Sequence, residues 1–195
     1  MQSNVCRIEK GSTQMDHIFR ESEKVAKYNE LSGKQALQLR LLCEELVNML
    51  PSIVSNFSGE FYIENQGNDY ELRMNVSVDG MDVETRSRLI KVSKNNRNAS
   101  VVGITGKIRA VFDYMAMSSG DPVMSPASRY GFSTNIDFSQ IWSLRQYQDG
   151  VREDAGEGSE EWDEFERSII ASVADDVLVG VKGNRVSIII KKTFA

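Results

Sequence analysis

One histidine, two cysteines and three prolines in 195 residues narrow the chemistry open to this chain. With His17 as the sole imidazole, a multi-histidine metal centre is excluded and a His-based catalytic triad is not expected. Cys6 and Cys43 lack metal-type spacing, and Cys43 falls inside a helical pattern, so it reads as a small core residue rather than half of a disulfide. The N-terminal stretch lacks the apolar centre of a signal peptide, and the longest apolar runs are far too short to span a membrane. The expectation is a cytoplasmic protein.

The bulk composition is that of an ordinary globular domain, 41% hydrophobic and 26% charged, with a net charge of -5. That charge gives no general attraction to nucleic acid, which ranks last among the expected partners. The length fits one domain, taken as residues 1–195, with an irregular insertion at about 93–158.

Hydrophobic periodicity sets out the elements. A short strand is expected at Val5–Glu9. A helix follows from about Thr13 to Glu30, with Met15, Ile18, Phe19, Ser22, Val25 and Ala26 on one face. Ser32 and Gln35 form a capping-box pattern that opens a second helix, which Pro51 is expected to end. Phe61 and Ile63 alternate with polar neighbours, and Asn65-Gln66-Gly67-Asn68 supplies a turn. Tyr70, Leu72, Met74, Val76 and Val78 mark the clearest strand. Near the C-terminus a helix over about Ser159–Ala174 precedes a hairpin, Asp176–Val181 and Arg185–Lys192, whose Ile188-Ile189-Ile190 run reads as covered on both faces. Further helices are expected at about Lys107–Met117 and Phe138–Gln148. The fold class is α+β, a two-layer sandwich with helices on one face of a mixed, mostly antiparallel sheet.

On the second helix, Leu39, Leu42, Cys43, Leu46 and Leu50 gather on one side, with Glu44 and Asn48 opposite, one turn apart. A carboxylate and an amide oxygen so placed can share a cation, or orient a water bound to it. The plainer alternative is a solvated face on which Arg40, four residues earlier, pairs with Glu44.

Element order and motif together resemble the GHKL ATP-binding domain of type II topoisomerases, histidine kinases and mismatch-repair proteins, above all the small anti-sigma-factor serine kinases. The resemblance is carried by Glu44-Glu45-Leu46-Val47-Asn48 on a helix, by two strands ending in Val78-Asp79-Gly80-Met81-Asp82, and by a last helix running through Asp175-Asp176 into a closing hairpin. It implies that Asn48 ligates Mg²⁺, that Glu44 is the catalytic base or water-orienting group, and that the turn around Asp79, Gly80 and Asp82 holds adenine. ATP and Mg²⁺ are the implied ligands. The implied partner is a regulatory protein of sigma-factor or antagonist type, and a homodimer is compatible with it.

Alignment on Gly80 puts Val78 where the family carries its adenine aspartate, and Asp82 at the second glycine. Acids also crowd the expected phosphate-facing helix start, from Glu160 to Glu166. A second phosphate candidate is Gly103-Ile104-Thr105-Gly106-Lys107, which sits in an acid-free stretch between Arg86 and Arg109 and lacks the remaining residues of a Walker loop. Trp142 and Tyr147 lie in an aromatic- and Met-bearing insertion that reads as a satellite core or a partner-binding surface. Two functions therefore compete: an ATP-dependent serine kinase, and a non-catalytic regulatory module of the same fold.

Overall fold

A computed structural model describes residues 1–10, 15–53, 56–78, 141–154, 168–182 and 185–195. The described elements are β1 (Cys6–Glu9), α1 (Met15–Tyr28), α2 (Gly33–Ile53), β2 (Phe57–Gln66), β3 (Asp69–Val78), β4 (Ile141–Ser143), α3 (Leu144–Asp154), α4 (Ile169–Val173), β5 (Asp176–Lys182) and β6 (Arg185–Thr193). The expected helix at Lys107–Met117 lies outside the described residues.

The six strands form one sheet in the order β1-β2-β3-β6-β5-β4. Every described pairing is antiparallel, so the parallel neighbour implied by a mixed sheet is not among them. The protein is α+β. Strand alternation sends Phe57, Phe61 and Ile63 of β2, and Tyr70, Leu72, Met74, Val76 and Val78 of β3, to one face. These side chains share one core with Ile18, Val25 and Ala26 of α1 and Leu39, Leu42, Cys43, Leu46 and Leu50 of α2. Burying each such aliphatic side chain stabilises the fold by roughly 1.5–3 kcal/mol.

The Ile188-Ile189-Ile190 run is buried throughout. Ile188 and Ile190 belong to the main core, whereas Ile189 and its cross-strand neighbour Leu178 are buried outside it. Their row, Tyr62–Arg73–Ile189–Leu178–Ser143, crosses five strands on the opposite face.

The β2–β3 connection is the two-residue loop Gly67-Asn68, with Gln66 paired to Asp69. Gly67 has φ 60°, the left-handed value that the first position of a II′ hairpin turn requires. Helix α1 ends in a Schellman motif: Leu31 N donates to Ala26 O at 2.9 Å and Glu30 N to Lys27 O at 3.3 Å. Glu30 occupies the left-handed position with φ 53°, where glycine is usual.

Three boundaries depart from the sequence expectation. Helix α2 runs through Pro51 to Ile53; a proline this near the C-terminal end removes only one ladder bond. Of the single helix expected from Ser159 to Ala174, the part before Ser168 lies outside the described residues; Ser168 itself is extended (φ -88°, ψ 124°) and accepts a hydrogen bond from Ala171 N as the N-cap of α4. The helix expected over Phe138–Gln148 begins later, at Leu144, because Ile141–Ser143 pairs with β5 as an edge strand. Ser143 Oγ then accepts from Gln146 N at 3.2 Å, and Asp176 Oδ1 from Arg145 N at 3.0 Å, together capping α3. Among the described residues, no helix is long and apolar enough to cross a membrane.

Candidate functional site

Helix α2 carries the candidate site. Its start is fixed by the capping box read from the sequence: Ser32 N donates to Gln35 Oε1 at 2.9 Å, and Gln35 N to Ser32 Oγ at 3.4 Å. Leu39, Leu42, Cys43 and Leu46 are fully buried on the inner side, which fixes the rotation of the helix about its axis. On the outer side Arg40 and Asn48 are exposed and Glu44 is half-buried between them.

The side chain of Arg40 turns away from Glu44. Its Nη1 lies 3.1 Å from Glu23 Oε1 on α1, and its guanidinium carbon sits 5.6 Å from the centroid of the Phe19 ring. Arg40 pairing with Glu44, the alternative weighed from the sequence, is not the pairing found. Among the described residues, the side chains of Glu44 and Asn48 have no hydrogen-bond or ion-pair partner.

The remaining sequence-predicted ligands, Asp79, Gly80, Asp82, Gly103, Gly106 and Lys107, lie outside the described residues. So do the acids from Glu160 to Glu166 and the basic stretch from Arg86 to Arg109. Val78, at the family's adenine-aspartate position, ends β3 opposite Phe57 and is buried in the main core. No ionisable group occupies that point of the strand. Trp142 and Tyr147 face each other at 6.0 Å and pack, partly buried, against the main core, as a satellite core requires.

The fit of a divalent cation rests on the donor set. Glu44 and Asn48 offer oxygens of the hard type that Mg²⁺ prefers, and Mg²⁺ completes its shell with water and phosphate oxygens. Among the described residues there is no cluster of three or more His, Cys, Asp or Glu side chains that would form an all-protein site. Two oxygen donors on one helix face suit a cation that arrives with a nucleotide.

The opposite face of the sheet holds features that periodicity did not single out. A groove of about 940 Å³ is lined there by Arg7, Glu60, Asn75, Ser77, Arg185 and Ser187, among others. Its central polar pair is already satisfied, since Ser187 Oγ donates to Asn75 Oδ1 at 2.7 Å. Beside it, Arg73 contacts both Glu71 and Glu64, and Lys191 lies 3.6 Å from Glu71. Burial pushes the Tyr62 hydroxyl above its usual range, against the opposing effect of Arg73. Charges of both signs and mutually paired groups make this face a cross-strand ladder rather than a site of one charge preference.

Cys6 and Cys43 are both buried and free. Burial raises the thiol of each, for Cys43 against the opposing effect of a hydrogen bond with Ser22, so neither is a ready nucleophile.

No protein-family model, curated protein or solved structure matches this chain. The likeness to the GHKL domain rests on residues and element order alone.

Proposed function

We propose that this chain is an ATP-binding protein of the GHKL type, acting in the manner of an anti-sigma-factor serine kinase in the cytoplasm. The observation that carries the reading is the Glu44–Asn48 step on α2, unpaired among the described residues while Arg40 is engaged by α1. The element order agrees with it: a strand and two helices precede a hairpin, and a short helix leads into a closing hairpin.

In this reading the Asn48 amide oxygen holds Mg²⁺, and the Glu44 carboxylate orients a substrate serine hydroxyl or takes its proton. Mg²⁺, when bound, supplies neutralisation of the phosphate charge. The phosphorylated serine would belong to an antagonist protein, and a sigma-type factor would bind the other state. The second reading, a non-catalytic regulatory module, is favoured by Val78: a buried valine cannot accept the exocyclic amine of adenine.

Thermal unfolding with and without Mg-ATP tests the proposal. Saturation to 100 times Kd stabilises by about 2.7 kcal/mol, which for a chain of this size raises Tm by roughly 5–10 °C. Asn48→Ala is expected to remove the Mg²⁺-dependent part of that rise. An unchanged Tm at millimolar Mg-ATP refutes nucleotide binding and leaves the regulatory module.

A further inference from the structure

Arg40 stands one turn before Glu44 on the same outward stripe of α2, and an arginine there is a natural i, i+4 partner for the carboxylate. Paired so, it would place a fixed positive charge where the site needs room for a cation. Two contacts from α1 prevent this. The Glu23 carboxylate holds Arg40 Nη1 at 3.1 Å, and the Phe19 ring receives the guanidinium at 5.6 Å. Glu23 and Phe19 are one turn apart on α1, so carboxylate and ring meet the same side chain together.

We propose that Glu23 and Phe19 are positioning residues that draw Arg40 away from Glu44 and so keep the Glu44–Asn48 step free for a cation. This rests on the reading of that step as a metal site, and it goes further in making α1 a determinant of the site's charge. A surface ion pair by itself is weak, but here the competing pairing is weak as well. The ring contact adds a preference that does not depend on Glu23, because a guanidinium is attracted to an aromatic face.

The test separates Arg40's position from nucleotide binding. In the full-length ¹⁵N-labelled protein, the Arg40 Nε–Hε resonance, assigned through Arg40→Lys, is followed in Glu23→Gln and Glu23→Gln/Glu44→Gln. The resonance is expected to move in Glu23→Gln and to move again when Glu44 is neutralised. In wild-type protein Glu44→Gln should leave it nearly unchanged. Mg²⁺-dependent ATP affinity, measured by calorimetry, should fall about two- to fivefold in Glu23→Gln, the range an exposed ion pair confers, and recover in Glu23→Gln/Arg40→Gln. Phe19→Leu should shift both readouts the same way by less. If the resonance in Glu23→Gln is indifferent to Glu44, the positioning proposal is overturned whatever the nucleotide does. If it responds but the wild-type protein binds no Mg-ATP, Arg40's placement stands and the metal-site role falls.

Discussion

Replacing Gly59 with alanine probes a close backbone approach between β2 and β3. Gly59 pairs with Ile8 of β1 on one side and Val76 of β3 on the other. An added Cβ would lie 2.1 Å from the Asn75 carbonyl oxygen, 2.7 Å from Val76 Cα and 2.8 Å from Val76 Cγ1. A carbon–oxygen contact relaxes to about 3.3 Å, so β2 and β3 must part locally by about 1 Å. Two of the three obstructing atoms are backbone, which no rotamer change relieves. Overpacking of this kind costs about 1–3 kcal/mol, and two weakened ladder bonds add about 1 kcal/mol each. The expected loss is therefore about 3–5 kcal/mol, or roughly 6–20 °C in Tm for a chain of this length. Urea and thermal unfolding followed by circular dichroism measure it. Gly33→Ala is the control, because a Cβ there meets nothing within 4 Å. A Gly59→Ala protein melting within 2 °C of wild type would refute the argument from close approach.

Two further outcomes concern α1. Glu21 is buried; desolvation opposes its ionisation, but hydrogen bonds from Lys24 and Asn4 outweigh that and hold its carboxyl below the ordinary 4.5. Its contribution is present above pH 4.5 and lost as pH falls through the lower folded value. Glu21→Gln should therefore lower Tm near neutrality and flatten its acid dependence below pH 4.5, and an equally steep acid limb in the variant would contradict this. Glu30→Gly should raise stability by about 0.5–1 kcal/mol, since the left-handed position closing α1 strains a residue bearing a Cβ. A fall in Tm would show that the Glu30 side chain contributes more than its backbone costs.

Much of the fold was legible because each signal was local. The alternation from Tyr70 to Val78 gave β3 to within one residue, and Ser32 with Gln35 located the start of α2 through hydrogen bonds only three positions apart. Expectation failed where a distant partner decided. Ile141–Ser143 is too short to carry a period and is a strand because β5 lies beside it. Ser168 is a local exception: within a stretch that reads as helical it is extended and caps α4 through the Ala171 N–H. Glu21, which the helical period did not place in the core, is buried where the segment before β1 meets it through Asn4.

The candidate site divides along the same line. Sequence by itself placed Glu44 and Asn48 on the outer side of α2, since their spacing from the leucines is a property of any helix. It also fixed the core face, the hairpins and the α+β class, all of which follow from periods of 3.6 and 2. Only the tertiary structure decided where Arg40 goes, because Glu23 and Phe19 reach it from another helix. The strand order and the burial of Leu178 and Ile189 apart from the main core were likewise decided there. Those outcomes depend on contacts between segments far apart in the chain, which no local period records.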